Sequence, residues 1–350
     1  VNEELKLITD APVVDSFDGR LVFESKKNLS LILQLKTVER VFYCICFKRI
    51  SFDCMNSTYI LNLMNKEKIV INFKALLKEQ NFHEIPDVNY RINIKAKILD
   101  SNTKIKMINI LKQIVETNVT WTVELRNPKI EVCVHVTSEG LFVGIPISIK
   151  PLSDRIYQPG MRTTVAHSMY FLLQKYCNNT SLVIDPFCGK GTILCEACDK
   201  NTIIFGSDNQ RAQLEIAQVN LIARHNRDLI VGSIEKIPLR FGVFDGIISD
   251  IPFGNKYLKT LDVYCAIEHW LELFHNLLKA DGVAVLLVSL TILDVLLYHA
   301  TGETFSQNSQ NTKPTLWKRL ASHYISLGKL DACVIVLKKF GSSSAPNLVI

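Results

Sequence analysis

The rhythm of apolar and polar positions changes near residue 150. Between residues 13 and 47 the segments RLVFES and VERVFYCICF read as extended chain and bracket a helical pattern around LSLILQLK. From Ile69 to Ile147, helical VINFKALLKE, extended YRINIKAKI and helical KIKMINILKQIV are followed by three extended segments, TWTVELR, IEVCVHVT and LFVGIPI. Strands and helices come in clumps there, which predicts an α+β half. The stretch IKPLSDRIYQPGMR is rich in turn formers and basic residues and reads as a connection, so the boundary is placed at residue 150. From Thr163 onward the patterns alternate: helix VAHSMYFLLQKY, strand SLVIDPF, helix ILCEACDK, strand TIIFGSD and helix QLEIAQVNLIARH, then strands LIVGS and FDGIISD, helix DVYCAIEHWLELFHNLL, strand GVAVLLVSL and helix ILDVLLYHA. Regular alternation predicts a parallel sheet covered on both faces. The last two segments, SHYISLG and DACVIVLKKF, are too close in sequence for a crossover helix and must form a hairpin.

Composition adds limits. A chain of 350 residues with 48% hydrophobic and 21% charged residues is globular and has room for about two domains. A net charge of +6 permits contact with an anionic polymer without demanding it. The ten cysteines lie mostly in apolar runs, which points to a reducing compartment. Cys195 and Cys198 form a CxxC, but no second pair or histidine stands at zinc spacing, so no metal site is expected. The longest apolar stretch, Val283 to Leu297, holds Ser289, Thr291 and Asp294 and is too short to span a bilayer. With no signal-peptide pattern, a soluble protein without membrane contact is expected.

Three acidic residues at predicted strand ends carry the chemistry. Asp185-Pro-Phe-Cys-Gly-Lys-Gly-Thr192 falls between a strand and a helix, the place where open α/β sheets bind nucleotides. Gly189 and Gly191 let backbone approach a ligand, although a GxG by itself also occurs as a tight strand-to-helix turn. Asp185 can accept from a cationic amino group. Asp208 ends the next strand and can accept both hydroxyls of a ribose, or serve as a helix cap. The two acids together fit S-adenosylmethionine, which has both groups. Asp250-Ile-Pro-Phe253 ends the strand FDGIISD. An acid-X-Pro-aromatic tetrad there suits methylation of a planar exocyclic amine: the carboxylate accepts from the NH2, a backbone carbonyl takes the second hydrogen and the ring stacks on the base. Asp250, Pro252 and Phe253 are therefore the expected catalytic residues. In the first half, Lys95 with Lys97 and Arg126 with Lys129 are candidate phosphate contacts, or equally the solvated side of a sheet.

A doubly wound sheet closed by one antiparallel strand is the class I methyltransferase arrangement, and DPFCGKGT, GSD and DIPFG, in this order, resemble the amino-methyltransferase branch of that class. RLVFES…LKTVERVF and RNPKIEVCVHV…LFVGIPIS…RIYQPGMR are similar to THUMP domain-containing RNA guanosine N2-methyltransferases. The resemblance implies a ferredoxin-like segment over 1–65, a THUMP RNA-binding domain over 66–150 and a class I (Rossmann-like) methyltransferase domain over 151–350. It implies S-adenosyl-L-methionine as cofactor, held by Thr164, Asp185, Phe187, Gly189, Gly191, Thr192, Asp208, Asn209, Ser233, Ile234 and Asp250. It also implies U6 small nuclear RNA or tRNA as substrate, a nuclear location, and a small zinc-binding activator subunit on the edge strand LIVGS. Two positions depart from the family pattern. Ile251 replaces the first proline of the tetrad, which is expected to loosen the turn, and Ser233 stands where many relatives have an aspartate facing the adenine. The alternatives are a catalytically weak RNA-binding protein on this fold and an enzyme acting on another planar amine, adenine or glutamine.

Overall fold

The computed structural model describes all residues except 18, 26–28, 51–55, 65, 82–86, 148–150, 153–156, 198–200, 224–225, 237, 253–259, 304–314, 329 and 341–350, and the side chains of 66, 260 and 261. The chain divides into two compact units, Val1–Asp154 and Arg155–Ile350.

The first unit opens with helix α1 (Asn2–Thr9), a hairpin of β1 (Val13–Phe17) and β2 (Arg20–Phe23), and the single turn α2 (Leu29–Ile32). RLVFES is thus one arm of a hairpin, because Gly19 at φ +70° lets the chain reverse. Next come β3 (Phe42–Arg49), α3 (Ser57–Leu63), α4 (Lys66–Glu79), β4 (Asn89–Lys95), α5 (Ser101–Asn118), β5 (Thr122–Val123), β6 (Ile130–Val136) and β7 (Gly140–Pro146). The last five strands of the unit form one sheet in the order β3-β7-β6-β4-β5. A boundary at residue 65 would therefore separate β3 from β7, its hydrogen-bonded neighbour. TWTVELR pairs over β5 and through Glu124 N, which donates to Tyr90 O at 2.9 Å, and then leaves the sheet at a turn where the Glu124 carboxylate accepts from Arg126 N. Ile130, Val132, Val134 and Val136 of β6 face the core beneath the helices. The alternate residues Glu131, Cys133 and His135 face the other way, and buried Glu131 pairs there with Arg40 and Arg91.

The second unit contains α6 (Thr163–Tyr176), β8 (Leu182–Asp185), α7 (Thr192–Glu196), β9 (Ile203–Asp208), α8 (Arg211–Asn220), β10 (Arg227–Val231), β11 (Phe244–Asp250), α9 (Thr260–Leu277), β12 (Leu278–Ser289), α10 (Leu290–Thr301), β13 (Trp317–Ser326) and β14 (Asp331–Lys339). Its seven strands lie in the order β10-β9-β8-β11-β12-β14-β13. Only β14 runs against its neighbours, and it is inserted between β12 and β13 instead of lying at the edge. The predicted terminal hairpin is β13–β14. Alternation along β12 shows why the sheet needs cover on both faces. Ala284, Leu286 and Val288 pack with the α9 and α10 side, whereas Val283, Val285 and Leu287 pack with the α6 and α7 side. Among the described residues no helix is long and apolar enough to cross a membrane.

Candidate active site

Strands β8, β11 and β9 end in Asp185, Asp250 and Asp208, so three carboxylates stand at the carboxyl ends of three neighbouring strands. The sheet's winding direction reverses between β8 and β11, and open α/β sheets have their crevice outside the strand ends at such a point. A cavity of about 590 Å³ lies there, lined by all three acids.

Asp185 is 1% exposed. Its Oδ1 accepts from Ser249 Oγ at 2.5 Å and from the backbone N–H of Phe187 at 3.1 Å, which fixes the carboxyl at the start of the glycine turn. Burial pushes its pKa up to about 7, the Ser249 bond opposing and the nearby Asp250 and Asp208 charges reinforcing the rise. Asp208 spans the turn: Oδ2 accepts from Gly189 N at 2.9 Å and Oδ1 from Gln210 N at 2.8 Å. Each oxygen keeps a second lone pair, so the carboxylate can order the loop and accept from a ligand together. Gly189 adopts φ +50° and has open space where a Cβ would stand.

Asp250 differs from the other two. Its Oδ1 is buried without a hydrogen-bond partner among the described residues, and burial raises its pKa to about 7. A buried acceptor left unbonded costs roughly 1–3 kcal/mol, which a ligand's N–H can recover. Beside it, the turn that Ile251 is expected to loosen continues into residues 253–259, outside the described residues, but Ile251 itself is held in place. Its N–H donates to Leu287 O at 3.0 Å and its side chain is 1% exposed in the core, so the strand pairing runs one residue past Asp250. A proline has no N–H to give that bond. Phe253 lies outside the described residues.

Asp185, Phe187, Gly189, Thr192, Asp208, Asn209, Ser233, Ile234, Asp250 and Pro252 all line the cavity. Two expected cofactor residues do not. Thr164 is buried within α6, where its carbonyl accepts from Ser168 Oγ. Gly191, at φ +72°, faces α8, and a Cβ there would stand 3.2 Å from Ala217 Cβ, so its lack of side chain serves packing. The sequence reading also missed residues. Pro159, Gly160 and Met161, read as connection, form a wall, and Gly160 N donates to Thr192 Oγ1 at 2.7 Å. Asp262, Ala266 and Trp270 reach the cavity from α9. Their i, i+4, i+8 spacing puts them on one helical face, and the acid on that face was the available signal. The Trp270 ring stands 4.9 Å from Phe187. Glu235 lines the cavity two residues beyond Ser233, whose Oγ accepts from Glu235 N at 3.4 Å. The candidate phosphate contacts lie in the first unit and form two pairs. Lys95 and Lys97 are exposed at the end of β4, whereas Lys129 N donates to Asn89 Oδ1 at its start, with exposed Arg126 nearby in sequence. At about 3.3 Å per residue the pairs are about 20 Å apart along the strand.

Residues 154–295 match the family model of the UPF0020 (RMKL-like) methyltransferase domain. The match lies almost wholly within the second unit, on the seven-stranded sheet and its helices. The mouse U6 snRNA (guanine-N(2))-methyltransferase THUMPD2 is 38% identical over 176 residues, covering 48% of this chain and 32% of that protein. The Bos taurus tRNA (guanine(6)-N(2))-methyltransferase THUMP3 is 23% identical over 240 residues, covering 63% of this chain and 45% of that protein. The chain thus spans 32% to 45% of the length of these curated relatives. TrmN from Thermus thermophilus shares the fold with a TM-score of 0.70 at 19% identity, over 97% of this chain and 95% of that one.

Proposed function

We propose that the chain is an S-adenosylmethionine-dependent RNA methyltransferase acting on the exocyclic N2 amine of a guanosine, in U6 small nuclear RNA or in tRNA, with a nuclear site of action. The observation that carries the reading is Asp250 Oδ1, which has no hydrogen-bond partner among the described residues and is buried beside the same cavity as Asp185 and Asp208, within the segment that matches a methyltransferase domain.

The residues present fit the cofactor. Asp185 suits its amino group, the open backbone at Gly189 admits its methionine part, and Asp208 suits its ribose. Ser233, Ile234 and Glu235 bound the end of the cavity assigned to the adenine, where Glu235 offers the carboxylate that Ser233 lacks. When bound, S-adenosylmethionine supplies an electrophilic methyl group on a sulfonium. The chain's own task is to hold a weak nucleophile. Asp250 Oδ1 accepts from one N2 hydrogen, favouring a pyramidal nitrogen, and with a pKa of about 7 it is matched to take the proton that the amine releases. Pro252 and Phe253 are assigned to the base.

The first unit is assigned to gripping RNA, as a ferredoxin-like segment and a THUMP domain, with Lys95, Lys97, Arg126 and Lys129 as phosphate contacts. A small zinc-binding activator is assigned to β10. That strand is an edge of the seven-stranded sheet, with Val231 57% exposed, and Val219 and Ile222 on the preceding segment are 68% and 74% exposed.

The deciding experiment is methyl transfer from labelled S-adenosylmethionine into total small RNA, with and without the activator subunit, followed by nucleoside analysis. N2-methylguanosine is the expected product. Label in N6-methyladenosine, or in protein, overturns the choice of amine, and the absence of label in both arms overturns the enzymatic reading.

A further inference from the structure

Asn220, the last residue of α8, does not line the cavity, yet its side chain joins two of the cavity's walls. Its Oδ1 accepts from the backbone N–H of Gln158 at 3.1 Å and its Nδ2 donates to the carbonyl of Gln158 at 2.9 Å. The amide therefore pairs with a single residue's N–H and C=O as a neighbouring strand would. Nδ2 also donates to the carbonyl of Lys190 at 2.8 Å. A carboxamide has two donor hydrogens and one acceptor oxygen, and both kinds of group are in use here.

The two bonded segments are functional parts of the cavity. Gln158 leads directly into Pro159, Gly160 and Met161, and Lys190 sits between Gly189 and Gly191. The first segment has two further anchors, Tyr157 OH donating to Glu196 Oε1 at 2.8 Å and Gly160 N donating to Thr192 Oγ1 at 2.7 Å. Among the described residues, only Asn220 ties that segment to the glycine turn through the turn's own carbonyl.

We propose that Asn220 is a positioning residue for the cofactor, setting the distance between the 158–161 wall and the glycine turn so that the cavity holds the methionine part of S-adenosylmethionine. This rests on the assignment of the cavity to that cofactor. Aspartate is the informative replacement. It keeps the bond from Gln158 N but turns a carboxylate oxygen toward two carbonyl oxygens, at unchanged side-chain volume. Losing two neutral hydrogen bonds in the process corresponds to about a tenfold effect.

The test is calorimetric titration of S-adenosylmethionine into the full chain, wild type, Asn220→Asp and Tyr157→Phe, with steady-state kinetics on total small RNA. Tyr157→Phe releases the same segment from a second point outside the cavity. Both variants are expected to raise the cofactor Kd and KM, Asn220→Asp by about tenfold, with kcat at saturating cofactor within about twofold of wild type and the RNA KM unchanged. An amide serving only the fold would instead lower Tm and kcat and leave the cofactor Kd of the folded protein as it was. That result, or wild-type Kd in both variants, overturns the role of Asn220. Failure of the wild type to bind the cofactor overturns the assignment of the cavity itself.

Discussion

Among single residues, Asp185 and Asp250 have the most distinctive surroundings. Both carboxyls are driven up to about 7 by burial, whereas the unfolded chain gives up the same protons near 3.9. The folded state therefore binds more protons between about pH 4 and pH 7, and its stability falls as pH rises through that window. Thermal unfolding of the ligand-free protein should show a lower Tm at pH 7.5 than at pH 5, and Asp250→Asn should reduce the difference to the part that Asp185 contributes. Under the proposed role of Asp250, the same shift sets the pH dependence of activity. Ionised Asp250 is the stronger acceptor for the amine, so kcat/KM should rise between pH 6 and pH 8. Asp250→Ala removes the acceptor altogether. Its kcat should fall by about a hundredfold or more while cofactor binding persists, and turnover equal to wild type would remove Asp250 from the mechanism.

Within elements, the informative case is the end of β11. A family-style reading expects a proline after the acid and treats isoleucine as a defect. The backbone instead uses the N–H that isoleucine keeps, bonding Ile251 to Leu287 O, and the side chain fills the core beneath α9. Ile251→Pro should lower stability by about 1–3 kcal/mol, from one lost sheet bond and the smaller buried side chain. A urea midpoint shifted at unchanged slope would show it. An unchanged midpoint would mean that the strand end contributes nothing to the fold. The glycine turn carries a related lesson. Gly189 and Gly191 both have positive φ, yet one borders the cavity and the other makes room for Ala217. Two identical letters thus serve a site and a helix contact.

In the whole molecule, the seven-stranded sheet of the second unit holds the candidate active site, and the exposed cations proposed to meet RNA belong to the first unit. Because Lys95 with Lys97 and Arg126 with Lys129 lie at opposite ends of β4, they are too far apart to share a phosphate. The double variants Lys95→Ala/Lys97→Ala and Arg126→Ala/Lys129→Ala should each weaken RNA binding and reduce the salt slope, and their effects should add. Titrations at several salt concentrations test this. A slope unchanged in both variants would move the RNA surface elsewhere.

Much of this was legible in the sequence because it depends on local rules. Alternating helix and strand periods over 163–301, followed by two apolar runs too close for a crossover, determine a doubly wound sheet with a hairpin at its end. Acids at the ends of SLVID, IIFGSD and FDGIISD mark the candidate site, since parallel strands present their carboxyl ends to one crevice. Contacts between residues distant in sequence were not legible. That β14 is inserted between β12 and β13, that Thr164 turns into a helix core, and that Gly191 meets α8 are outcomes of packing between elements. The same holds for the 158–161 segment, which reads as a linker and becomes a cavity wall because Asn220, Glu196 and Thr192 hold it in place. Periodicity reports which side of an element is apolar, but only the folded chain decides which distant polar groups meet, because each bond depends on the placement of both partners.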